Sequence, residues 1–112
     1  MSAVDQSGWQ DVGAADALAE GDMLAAAVAD RLVAVYRVAG RLHATDNVCT
    51  HGQAMLTDGW LEDGVIECSL HGGRFDVCTG KGLGPPIEQD LATFAVREQQ
   101  GRIQVRVTRE GQ

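Results

Sequence analysis

Residues 44–86, ATDNVCTHGQAMLTDGWLEDGVIECSLHGGRFDVCTGKGLGPP, hold all three cysteines and two of the three histidines of the 112-residue chain. Within them, Cys49-Thr50-His51 and Cys68-Ser69-Leu70-His71 are two short runs, each offering one thiol and one imidazole, with 16 residues between His51 and Cys68. Each run is followed by glycine, Gly52 in the first case and Gly72-Gly73 in the second. Without a Cβ, these positions let backbone N–H groups approach thiolates or bridging sulfides.

The close spacing within each run lets one loop serve two metals, its Cys on one and its His on the other. Two such loops then give Cys₂ to one iron and His₂ to its neighbour, the ligand set of a Rieske [2Fe–2S] centre. Zinc is the competing metal, since Cys₂His₂ is also a structural zinc set. Zinc modules usually present a Cys-x₂₋₄-Cys knuckle with a nearby pair of imidazoles, whereas here the order alternates Cys, His, Cys, His. Buried structural thiols with unrelated histidines are the third reading. An odd number of cysteines fits metal binding or packing better than a disulfide framework.

Outward from this stretch, period-two alternation dominates. Ile103, Val105 and Val107 share one face while Gln104, Arg106 and Thr108 share the other, the pattern of a half-buried strand. Leu91 to Glu98 precedes it across Gln99-Gln100-Gly101, a hairpin connection. Arg31 to Val38 and Arg41 to Thr45 flank Ala39-Gly40 and make a second hairpin. Asp22 to Val28 and Trp9 to Val12 complete a meander in this reading, and Ala14 to Glu20 gives at most a helical turn ended by Gly21. Two further strands fall around Gly64 to Glu67 and Arg74 to Val77. The expectation is an all-β chain: an antiparallel β-sandwich or barrel with an inserted, turn-rich subdomain.

Leu, Ile, Val and Phe make up 26 of the 112 residues, enough apolar side chain for a folded core. At this length one domain is expected, spanning 1–112 with the cluster-binding subdomain at approximately 46–86. The formal net charge of −7 argues against a nucleic-acid or anionic-membrane partner and favours a basic protein surface. Residues 42–73 carry Asp46, Asp58, Glu62, Asp63 and Glu67 with no Lys or Arg. The start, MSAVDQSGWQ, has no basic-then-apolar signal, and the longest apolar run, Met23 to Ala29, is far short of the ~20 residues of a membrane span. A cytoplasmic monomer is expected.

The run from Ala44 to Pro86 resembles the cluster region of the Rieske-type [2Fe–2S] ferredoxins of bacterial aromatic-ring-hydroxylating dioxygenase systems. The resemblance implies the Rieske iron–sulfur fold, with Cys49 and Cys68 on an inner iron and His51 and His71 on an outer one near the surface. Gly84-Pro85-Pro86 matches the family's proline-containing loop beside the cluster. Phe75-Asp76 and Thr79-Gly80 match the strand and turn after the second ligand loop. High-potential Rieske proteins of respiratory complexes add a cysteine to each loop and place hydroxyls near the sulfurs. Ala54, Leu70, Gly73 and Phe75 stand at those positions here, which implies a potential toward the low end of the Rieske range of about −150 to +300 mV.

The implied function is one-electron carriage from a flavin-containing ferredoxin reductase to a terminal oxygenase, with no substrate turnover by the chain itself. The exposed edge of His51 and His71 would be the electron port, ringed by acidic residues that steer a basic partner. Alternatives are the small Rieske subunit of a larger reductase such as nitrite reductase, and a zinc-stapled interaction module without redox activity. Outside the ligand runs, Cys78 reads as a small buried hydrophobe, and Trp60 with Met55 and Leu56 as the insert's own core. His43 reads as a surface residue of a strand and Lys81 as a solvated turn residue.

Overall fold

The structure is a computed structural model that describes residues 8–50, 54–70 and 72–107. Among them lie nine strands: β1 (Trp9–Ala14), β2 (Met23–Val28), β3 (Arg31–Val38), β4 (Arg41–Asp46), β5 (Trp60–Glu62), β6 (Val65–Glu67), β7 (Arg74–Asp76), β8 (Thr93–Gln99) and β9 (Arg102–Arg106). Two 3₁₀ turns, Ala15–Ala17 and Leu56–Asp58, are the described helical elements. The all-β expectation holds.

Four hairpins turn through residue pairs with positive φ at both positions: Ala29-Asp30, Ala39-Gly40, Asp63-Gly64 and Gln100-Gly101. That is the geometry of a two-residue type I′ turn, whose twist matches the right-handed twist of the flanking strands. Glycine in second place at three of the four removes the Cβ penalty there.

Six strands form one antiparallel sheet in the order β1-β9-β8-β4-β3-β2, and β5-β6-β7 form a second. The large sheet curls into a nearly closed barrel, bringing its two edge strands together: a Cβ on Gly13 of β1 would lie 3.8 Å from the Leu24 side chain of β2. The expected meander is real for β2, β3 and β4 but not for β1, which pairs with β9 at the far end of the chain. Two contacts fasten it there. Asp11 accepts a two-pronged hydrogen bond from Arg102 at 2.8 and 2.9 Å, and the guanidinium groups of Arg97 and Arg106 both lie over the Trp9 ring, 4.2 and 4.7 Å from its centroid.

β3 is buried on both faces, which explains its run of apolar residues rather than strict alternation. Val33 and Val35 point into the barrel with Val28, Ala44, Ile103 and Val105. Ala34 and Tyr36 point the other way, into a second core with Leu56, Ile66, Phe75, Val77 and Leu91. This second core lies between the barrel wall and the small sheet. On the small sheet, Leu61, Ile66 and Phe75 are cross-strand neighbours facing it.

Candidate metal centre

Cys49 and Cys68 both belong to that second core and are 3% and 2% exposed. The structure therefore brings together two thiols that are 19 positions apart in sequence. His51 and His71, the other two expected ligands, lie outside the described residues.

The two thiols are set by the same local device. The Cys49 N–H donates to the carbonyl of Ala54 at 2.9 Å, and the Cys68 N–H donates to the carbonyl of Gly73 at 2.7 Å. Each cysteine thus sits at the neck of a loop closed by a bond to the carbonyl five residues on. The segments so closed are the ones that contain His51 and His71 in sequence. At the second loop Gly72 N–H also returns to the Cys68 carbonyl at 3.1 Å, and the Leu70 N–H points at Cys68 Sγ at 3.5 Å. An N–H aimed at sulfur stabilises negative charge on a thiolate and on anything bonded to it.

The first loop is anchored below Cys49 by Asn47, whose side chain is buried. Its amide oxygen accepts from the Thr57 N–H at 2.9 Å and its amide nitrogen donates to Thr57 Oγ1 at 3.0 Å. Its backbone accepts from the Leu56 N–H at 2.6 Å. This satisfied polar knot links the end of β4 to the turn before β5.

A third loop, after β7, braces both. Thr50 Oγ1, between Cys49 and His51, donates to the Gln89 carbonyl at 2.9 Å. Ile87 packs against the bare backbone of Gly73 and Gly82, where an added Cβ on either glycine would collide with the Ile87 side chain. Here glycine is required by close approach, not by dihedral freedom. The peptide Pro85-Pro86 in this loop is cis, and the loop's place beside the second ligand loop agrees with the expectation for Gly84-Pro85-Pro86. Asn47, Thr50 and Ile87 were not singled out by sequence reasoning. For Ile87, the available signal was the recurrence of glycine at 73 and 82.

Under the site, Tyr36 is fully buried and shares a hydrogen bond with Thr45 Oγ1 at 2.8 Å. Burial pushes its phenol up to about 12, so the hydroxyl remains protonated throughout the neutral range. Around the loops the apolar Val48, Leu70 and Leu83 are exposed, Leu70 by 53%, together with the polar Ser69, Glu88 and Gln89.

Two expectations are corrected by the structure. Cys78 is exposed, not buried; Val77 takes the buried position, and Asp76 Oδ1 draws the N–H groups of Cys78 and Thr79 into a turn that carries the thiol outward. Trp60 is 60% exposed, because strand alternation in β5 turns Leu61 inward in its place. Leu56 is buried as expected, His43 is half-buried and Lys81 is exposed.

The donor set fits an iron–sulfur cluster: two buried thiols on separate loops, one N–H aimed at sulfur, and a backbone free of Cβ atoms at Gly73. A profile describing the Rieske [2Fe–2S] domain matches residues 8–95. This chain belongs to the Rieske [2Fe–2S] family. Its cofactor is accordingly a Rieske-type [2Fe–2S] cluster, which sets the zinc alternative aside.

Among Rieske relatives, the ferredoxin component of naphthalene 1,2-dioxygenase/salicylate 5-hydroxylase systems from Ralstonia sp. is 44% identical over 99 residues, covering 88% of this chain and 95% of the relative. The ferredoxin component of the naphthalene 1,2-dioxygenase system from Pseudomonas putida is 45% identical over 97 residues, covering 87% and 93%. Among solved Rieske structures, a chain in the complex of reduced oxygenase and oxidised ferredoxin in carbazole 1,9a-dioxygenase superposes with a TM-score of 0.84 at 39% identity, covering 88% of this chain and 93% of that one. These relatives are electron-carrying components, not the catalysts of the systems they serve. Among the described residues no helix is long and apolar enough to cross a membrane.

Proposed function

We propose that this chain is the ferredoxin of a bacterial aromatic-ring-hydroxylating oxygenase system: a cytoplasmic one-electron carrier between a flavin-containing ferredoxin reductase and a terminal oxygenase. Cys49 and Cys68 hold the inner iron and His51 and His71 the outer one. Residues 46–86 act as the cluster-binding subdomain of a single Rieske domain. When bound, the cluster takes up and releases one electron at a time.

The observation that carries this reading is the matched pair of necks, each with a buried cysteine whose N–H closes its loop onto the carbonyl five residues later. Such necks hold thiolates rigidly in an apolar pocket, where little reorganisation accompanies a change of charge. The exposed apolar side chains of Val48, Leu70 and Leu83 suit brief docking beside the outer iron. Gly73 and Phe75 offer no hydroxyl, so the potential belongs toward the low end of the Rieske range.

Metal and sulfide analysis of anaerobically prepared protein tests the assignment. Two irons and two acid-labile sulfides per chain are expected, with a visible spectrum that changes when His71→Ala is introduced. Absence of labile sulfide, or an unaltered spectrum in that variant, overturns it.

A further inference from the structure

On the outer face of the small sheet Trp60, Glu62 and Arg74 are exposed and Val65, Glu67 and Asp76 half-buried. Cross-strand pairing puts Trp60, Glu67 and Arg74 in one row and Glu62, Val65 and Asp76 in the next, all on the side opposite the half-buried Leu61 and the buried Ile66 and Phe75. Trp60, Glu62, Asp63, Val65, Glu67 and Arg74 line a shallow hollow there. Its charges are Glu62, Asp63 and Glu67 against the single guanidinium of Arg74.

The two tryptophans of the chain differ sharply. Trp9 is covered by the chain's own Arg97 and Arg106. Trp60 is 60% exposed, and among the described residues no cation lies over it. A bare indole within a carboxylate rim is the arrangement of an interface anchor: a large apolar surface to bury, and charges that attract a cation to its π-face. The face is also continuous with the second ligand loop. Glu67 directly precedes Cys68, and a Cβ on Gly72 would lie 3.6 Å from Glu67 Oε2.

We propose that this face, anchored on Trp60, is a docking surface for a basic redox protein, which places an Arg or Lys side chain over the Trp60 indole and opposes Glu62, Asp63 and Glu67 with further cations. The proposal rests on the electron-carrier reading and names the kind of partner surface that reading requires. A second copy of this acidic chain is repelled by the same carboxylates, as are nucleic acid and anionic lipid.

Cytochrome c, a Lys-rich haem protein, serves as the probe. In stopped flow, one electron leaves the reduced, cluster-loaded protein and converts one ferric haem to ferrous. In a separate titration of oxidised protein with ferric cytochrome c, affinity is read with no electron moving. At low ionic strength Trp60→Ala is expected to slow the reaction and weaken the affinity roughly fivefold or more, with Trp60→Phe intermediate. Glu62→Gln combined with Glu67→Gln flattens the salt dependence, while the exposed control Asp16→Asn leaves it within twofold of the parent. The visible spectrum of every variant matches the parent's, showing the cluster intact. Parent-like rate and affinity in Trp60→Ala overturn the docking face while leaving electron carriage standing. A parent protein that reduces no haem at all overturns both.

Discussion

The barrel and the cluster-side core share one wall, β3, yet they are built on different principles. The barrel core of Val28, Val33, Val35, Ala44, Ile103 and Val105 is closed by long strands with continuous ladders. The cluster-side core is faced by three-residue strands and by loops, and two of its buried side chains are thiols. The first is held by apolar burial and backbone pairing. The second is held by a few specific bonds, and its two thiols are the proposed inner-iron ligands. The chain thus separates what must be stable from what must change charge.

Substitutions on the two sides should separate accordingly. The largest effect is expected from Gly73→Val, which drives a side chain into Ile87: the cluster is lost from the visible spectrum while the far-ultraviolet circular dichroism of the barrel persists. Simultaneous loss of both signals would mean that the two cores are one cooperative unit. Ile103→Ala, in the barrel, is expected to cost about 2–5 kcal/mol in denaturant unfolding, with the cluster spectrum unchanged in native buffer.

Tyr36→Phe removes a buried hydroxyl and its bond to Thr45, at about 0.5–1.5 kcal/mol. It also tests a pH limb. The phenol is raised from 10.0 to about 12 on folding, so its contribution is complete below pH 10 and is lost as pH rises toward 12. Thermal unfolding of the variant should lack this part of the alkaline decline. Thr50→Val unties the first ligand loop from Gln89 and should shorten the lifetime of the bound cluster without altering the unfolding midpoint of the barrel. The smallest effect is expected from Asp11→Asn at the exposed β1–β9 contact. Arg102, through its hydrogen bonds, holds this carboxyl below its ordinary value. Its contribution is therefore present above the unfolded carboxyl value and is lost as pH falls through the folded one.

The same division decides what was legible in the sequence. Barrel strands with period-two patterns and paired turn residues could be read directly: β3 begins and ends where expected and Ala39-Gly40 turns as expected, while of the expected connection Gln99-Gln100-Gly101 only Gln100-Gly101 turns and Gln99 stays in β8. The partner of β1 could not, because Asp11 meets Arg102 and Trp9 meets Arg97 and Arg106 only after the chain has closed. In the small sheet, β5 is too short for alternation to show, so Trp60 read as core although Leu61 fills that place. Cys78 is exposed against the expectation for its residue type because the Asx turn at Asp76 outweighs the thiol's preference for burial. Spacing and glycine placement mark Cys49, His51, Cys68 and His71 as ligand candidates, of which Cys49 and Cys68 lie among the described residues. The bonds that hold them, from Asn47, Thr50 and the packing of Ile87, depend on residues far apart in sequence.

Pulsed electron paramagnetic resonance of dithionite-reduced protein labelled with ¹⁵N in histidine alone addresses the ligation most directly. Two strongly coupled imidazole nitrogens, one of them missing in His71→Ala, are the predicted result; a reduced cluster with no histidine nitrogen coupling would contradict the account.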